Sequence, residues 1–230
     1  MTYPEGFLDR DERFPALHEL LDSYADAGYF FTDTPEEPGV ALQAYVRQAM
    51  RMPETLVTVI AEINDLLQVG LFSDEIADDV DLLPHVEPPA GSTVEQCLTV
   101  IRSHLERIKS GGAYQHSALP QTNWEWRKQF PELWHLLAGY FHQEFSRFYT
   151  SHQEALGDYL SGNSEDTFVE ADRELSSILS LVGSDSELDR ATEVLGLMVY
   201  PPDGLSLRQW LIDMQGAITD HLRSGASRPT

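Results

Sequence analysis

Apolar residues return at helical intervals along most of the chain. Leu17, Leu20, Leu21 and Tyr24 keep the i, i+3, i+4, i+7 spacing behind Phe14-Pro15, a proline at a helix start. A second helix is predicted from about Glu36 to Met50, with Val40, Ala41, Ala44 and Tyr45 on one side. MPETLVTVIAEINDLLQVG starts again on an early proline, lines one face with Leu56, Val59, Ile60, Ile63, Leu66 and Leu67, and stops at Gly70. SDEIADDVDLL reads as a short helix capped by Ser73 or Asp74. After the break at Pro88-Pro89-Ala90-Gly91, TVEQCLTVIRSHLERI forms the last helix of this half and ends in basic residues before Gly111-Gly112.

The second half follows the same order. FPELWHLLAGYF matches FPALHELLDSY, so that Phe14 to Tyr24 align with Phe130 to Tyr140. ALGDY at Ala155 matches ALQAY at Ala41, ELSSIL at Glu174 matches EINDLL at Glu62, SDSEL at Ser184 matches SDEI at Ser73, and PPDG at Pro201 matches PPAG at Pro88. The offset runs from 116 at the first anchor to 113 at the last, as short loop insertions between retained helices produce. We read an internal duplication: an all-α chain of two tandem five-helix lobes, residues 1–112 and 130–230. A linker rich in Gly, Ser and Pro, 113–129, joins them. Neither an Asn-Gly hairpin turn nor a sustained β-branched alternation competes.

Composition changes this picture in one respect. The 42% apolar content suffices for a core, but 38 acidic residues against 15 basic ones leave a net charge of −23. Such a surface repels nucleic acid and anionic lipid and attracts a basic protein. No uncharged run is long enough for a bilayer and no signal pattern opens the chain, so a cytoplasmic protein without membrane contact is expected. The single cysteine, Cys97, lies in the periodic run Val94, Cys97, Leu98, Ile101 and reads as a small core residue.

Three stretches carry a family resemblance: FPELWHLLAGYFHQEF, SHQEALGDYL, and YPPDGLSLRQWL with its Ser-x-Arg-x-Trp-Leu. In their order and spacing, residues 130 to about 223 resemble the α-helical immunity proteins of bacterial contact-dependent growth inhibition systems. The first half shares the likeness through the duplication, and departs at Asp26 for His142, Glu95 for Arg208 and Cys97 for Trp210. The resemblance implies a protein that binds a cognate toxin domain, often a nuclease, and blocks it without catalysis or cofactor. A monomer that forms a 1:1 complex is expected. An acidic helical adaptor for another basic protein is the alternative, and an enzyme built in the bundle ranks third.

Candidate contact residues follow from charge and aromaticity. The acidic groups are Asp74, Glu75, Asp78, Asp79 and Asp81; Glu165, Asp166 and Glu170; and Asp185, Glu187 and Asp189. They exceed what helix N-termini need, and few basic residues stand four positions away. Trp124 and Trp126 near Arg127 are either partner anchors or seals of the junction between lobes. His142, Gln143 and Glu144 are peculiar to the second lobe, as a helix-end hydrogen-bond station or a toxin-facing edge. His135 and His142 would share a helix face, but HExxH is absent and no recurring Glu-x-x-His pair accompanies them, so no metal is expected. Trp134 and Trp210 are assigned to the core.

Overall fold

The computed structural model describes residues 13–71, 73, 80, 83–112, 117 and 119–226. It is all-α: among the described residues there is no strand, only an isolated bridge between Phe30 and Glu87. The chain divides into two compact units, Met1–Ser117 and Ala118–Thr230.

In the first unit, α1 (Pro15–Asp22), α2 (Val40–Ala49) and α4 (Val94–Lys109) each pack on α3 (Pro53–Val69). Helix α2 begins later than the expected Glu36, because Asp33 closes the preceding turn by accepting the Gly39 N–H at 2.7 Å. The same buried carboxylate accepts the Tyr24 hydroxyl at 2.6 Å. Of the helix expected at SDEIADDVDLL, only Ser73, Val80 and Leu83 are among the described residues.

The second unit holds α5 (Asn123–Gln129), α6 (Pro131–Tyr140), α7 (Phe145–Phe148), α8 (His152–Gly162), α9 (Glu165–Leu181), α10 (Asp185–Val194) and α11 (Leu207–Ala226). Helix α9 is the axis, packing on α6 and α11, while α10 lies against α11 and α5. The core gathers Leu133, Leu136, Leu137, Phe141, Tyr159, Phe168, Leu175, Ile178, Leu195, Trp210, Leu211 and Met214, all buried. This is two helices more than the five expected. One is the single turn α7; the other, α5, occupies much of the expected linker. It forms because Thr122 and Glu125 make a reciprocal capping box, with Glu125 N donating to Thr122 Oγ1 at 3.2 Å and Thr122 N to Glu125 Oε2 at 3.0 Å.

One device recurs in both units. Phe14 and Phe130 take nearly the same dihedrals ahead of their prolines, φ −128° and ψ 53° against φ −132° and ψ 56°. The free amides of the first turn then point at a glutamate on the axial helix. Leu17 N donates to Glu62 Oε2 at 2.7 Å, and Leu133 N to Glu174 Oε2 at 2.8 Å. Each acid satisfies helix-start donors that have no partner within their own helix. Burial raises both carboxyl groups above their ordinary value, Glu174 to about 7.

Candidate functional site

At the C-terminal end of α6 the chain folds back on itself and builds an aromatic edge. Helix α6 stops at Tyr140, and His142 Nδ1 accepts the Glu144 amide at 3.1 Å. His142 is thus off the helix and shares no face with His135, which instead pairs with Glu132 at 3.4 Å. The next turn, α7, brings Phe145 onto Phe141, with ring centroids 5.9 Å apart, and His142 against Phe148 at 5.9 Å. Met198 N donates to the Phe141 carbonyl at 2.9 Å, which draws the α10–α11 loop alongside.

His152 locks this edge. Its ring lies 5.2 Å from Phe145 and 5.0 Å from Trp210, edge to face with the indole. Its Nε2 lies 2.9 Å from the Tyr200 carbonyl, an acceptor, so this nitrogen carries the hydrogen. The neighbouring rings leave the imidazole little freedom to turn, and the loop carrying Tyr200 is held to the start of α8. Three apolar side chains then stand out toward solvent on the joined segments: Tyr200 at 90% exposure, Met198 at 61% and Phe148 at 59%. Large exposed aromatic and Met side chains on a fixed backbone offer contact area at little entropic cost.

Acids lie on the same segments. Glu144 lies on the same turn and pairs with Arg147 at 3.6 Å. Glu154 caps the start of α8, accepting Thr150 N at 2.7 Å and Thr150 Oγ1 at 2.6 Å, bonds that pull its carboxyl below the usual range. Asp158 accepts the Tyr149 hydroxyl at 2.7 Å, and burial and that bond push the phenol up to about 12. Gln143, Glu144 and Asp203 are exposed.

The remaining sequence candidates fall elsewhere. Asp74, Glu75, Asp78, Asp79 and Asp81 lie outside the described residues. Trp124 is 4% exposed, so its ring has no free face. Trp126 is half-buried, stacks on Phe130 at 5.6 Å, and lines a groove of about 190 Å³ with Glu187 and Arg190. Glu165 and Asp166 are exposed in the first turn of α9, and Glu170 pairs with Arg173. Asp189 is exposed, and Asp185 is engaged by Arg208 at 3.2 Å. Trp134 is not core: at 46% it is exposed, because Leu133, Leu136 and Leu137 define the buried face of α6 and position 134 lies a third of a turn away. Among the described residues no three of His, Cys, Asp and Glu are gathered as a metal would require.

The motif residues of the last stretch turn out to be structural. Arg208 donates to the carbonyls of Leu179 at 3.1 Å and Val182 at 2.8 Å, closing the end of α9. Trp210 is buried against Phe141 and His152. Tyr200, Pro201 and Pro202 lead into the turn that presents the edge. The three stretches singled out in the sequence therefore meet at this one end of the second unit.

Residues 129–218 match the family model of the CdiI immunity protein. The likeness read from the second half is thereby shown for that half, over 90 of the 230 residues. No curated protein and no solved structure matches the chain. Likeness to the CdiI immunity protein over these residues suggests a toxin-neutralising role. No helix among the described residues is long and apolar enough to cross a membrane. Sequence reasoning placed His142, Gln143 and Glu144 at the edge of this CdiI-like half but missed Phe148, His152, Met198 and Tyr200. Apolar residues in a loop give no periodic signal, and only the tertiary hydrogen bonds of Phe141 with Met198 and of His152 with Tyr200 bring these segments together.

Proposed function

We propose that the protein is an immunity protein that neutralises a cognate toxin domain through the aromatic edge of its second unit. The match of residues 129–218 to the CdiI immunity family carries the reading. The toxin is a basic, nuclease-type domain. A cleft shaped for phosphate is cationic and complements a chain of net charge −23. Binding is stoichiometric, one to one, and blocks the substrate surface by occlusion; the protein contributes no catalysis and acts in the cytoplasm.

Tyr200, Met198 and Phe148 serve as the anchors, and Glu144, Asp203 and the exposed acids of α9 and α10 form a charged rim. This order follows the general division of interfaces into a few apolar hot spots and a steering periphery.

The first unit is a diverged duplicate of the second. Support comes from the paired proline-started helices, from Glu62 and Glu174 on equivalent axial helices, and from the buried tyrosines Tyr45 and Tyr159 at matching positions.

Co-expression with the toxin domain encoded beside it should restore growth. Tyr200→Ala combined with Phe148→Ala should weaken binding by at least about tenfold while leaving the melting temperature unchanged, since both side chains are exposed. Full affinity in that double variant would move the contact to another face. An absence of rescue by the wild-type chain would sink the immunity reading itself, leaving an acidic adaptor.

A further inference from the structure

The first unit contains an apolar cavity of about 310 Å³. Leu21 of α1, Leu66 of α3, Cys97, Leu98 and Ile101 of α4, and Val86 form its buried floor, and the partly exposed Pro84 and exposed His85 stand where it opens to solvent. Protein interiors hold few voids larger than a water molecule. An apolar cavity of roughly 150 Å³ stays dry and takes up benzene, so one twice that size has room for a second fused ring. Among the described residues its only titratable wall besides Cys97 is the exposed His85, and no carboxylate, ammonium or guanidinium stands beside the buried part, where a charged ligand would lose its hydration without compensation.

The second unit indicates what shape is missing. In the register of the duplication proposed above, on which this comparison rests, Cys97 stands where Trp210 does, and the following positions agree in burial: Leu98 with Leu211, Ile101 with Met214, Leu105 with Ile218. Helix α11 fills its core from this face with an indole, set edge-on to Phe141 at 5.3 Å. Helix α4 presents the same face with a thiol in place of the ring, and that thiol borders the cavity. The second unit holds a ring at this position; the first holds a thiol with a pocket beside it.

We propose that this cavity is a binding site for a neutral aromatic molecule of one or two fused rings. Such a ligand would occupy the space beside Cys97 and rigidify α1, α3 and α4 against one another. This function is separate from toxin neutralisation, and its test involves no toxin.

Indole is the probe, used on the intact chain, with zwitterionic tryptophan as the charged control. Cys97 is the only thiol, so its rate of reaction with a thiol reagent reports on the cavity directly. Indole should raise the melting temperature in a concentration-dependent manner and slow Cys97 modification by about tenfold or more at saturation, since binding favours the closed native state. Tryptophan should do neither. Cys97→Trp should raise the melting temperature by itself and abolish the response to indole. Cys97→Phe serves should the larger ring prevent folding, and protection of the wild-type thiol decides the matter without any variant. No thermal shift and no protection up to the solubility of indole would overturn the proposal. So would a thermal response that survives in the filled variant, because binding would then lie elsewhere.

Discussion

Glu174 combines two opposed demands. It is 1% exposed, with Oε2 held by the Leu133 amide, while Oε1 has no hydrogen-bond partner among the described residues. Burial favours the neutral acid and the helix-start amides favour the anion; burial wins, and the carboxyl titrates at about 7 against an ordinary 4.5. Between these values the folded chain holds a proton that the unfolded chain has released. The stability this proton contributes is complete below about pH 4.5 and is lost as pH rises through 7. At ~1.4 kcal/mol per pH unit the loss amounts to about 3 kcal/mol. Glu174→Gln keeps the shape and removes the titration. Denaturant unfolding at pH 5 and pH 8 should therefore show the variant gaining about 2.5 kcal/mol on the wild type at the higher pH. A difference between the two proteins that does not change with pH would show that Glu174 does not titrate in this window. Glu62 sits in the equivalent place but is more open, and its carboxyl is raised by the same cause.

At the scale of elements, Arg208 ties together the end of one helix and the start of another. Its guanidinium covers the last carbonyls of α9 and reaches Asp185 in the first turn of α10, so one side chain fixes the angle between them. The ion pair adds little, because Asp185 is largely exposed. The two bonds to backbone carbonyls carry the effect, and Arg208→Ala should cost about 2 kcal/mol at most 3, read from urea unfolding. Arg208→Lys should recover only part of this, since one ammonium cannot span both carbonyls.

The helices themselves were legible in sequence. Prolines at 15, 53 and 131 start three of them where expected, and Thr93, Ser151, Ser164 and Ser184 cap four more. Helix α5 was not predicted because seven residues give no periodicity, although its Thr122-x-x-Glu125 box is written in the chain. Pairing Glu62 with Glu174 was visible as an alignment, but not the reason for it. Each caps a helix more than forty residues earlier, and local sequence holds no trace of that contact. The exposed edge was hidden likewise, since the bonds that hold the Met198 and Tyr200 backbone in place are made with Phe141 and His152, distant in sequence.

Over the whole molecule, charge and family likeness do not coincide. The first unit carries 21 acidic and 7 basic residues, a net charge of −14; the second carries 17 and 8, a net charge of −9. The half without the family match is thus the more acidic, even though the proposed anchors lie in the other. Long-range fields act on encounter, whereas short-range packing decides residence. If the first unit serves as a steering field, its charge governs how fast a basic toxin arrives and hardly alters how long it stays. Reversing Asp74, Glu75, Asp78 and Asp79 to lysine changes its net charge by eight. Stopped-flow association at low salt should then slow by about tenfold and lose most of its dependence on ionic strength. The dissociation rate should remain within about twofold, because the anchoring side chains are left unchanged. The Tyr200→Ala and Phe148→Ala pair should behave in the opposite way, with a faster off-rate and unchanged association. A charge-reversed chain that dissociates faster instead would place the first unit in direct contact with the toxin, and the division of labour between the two units would have to be abandoned.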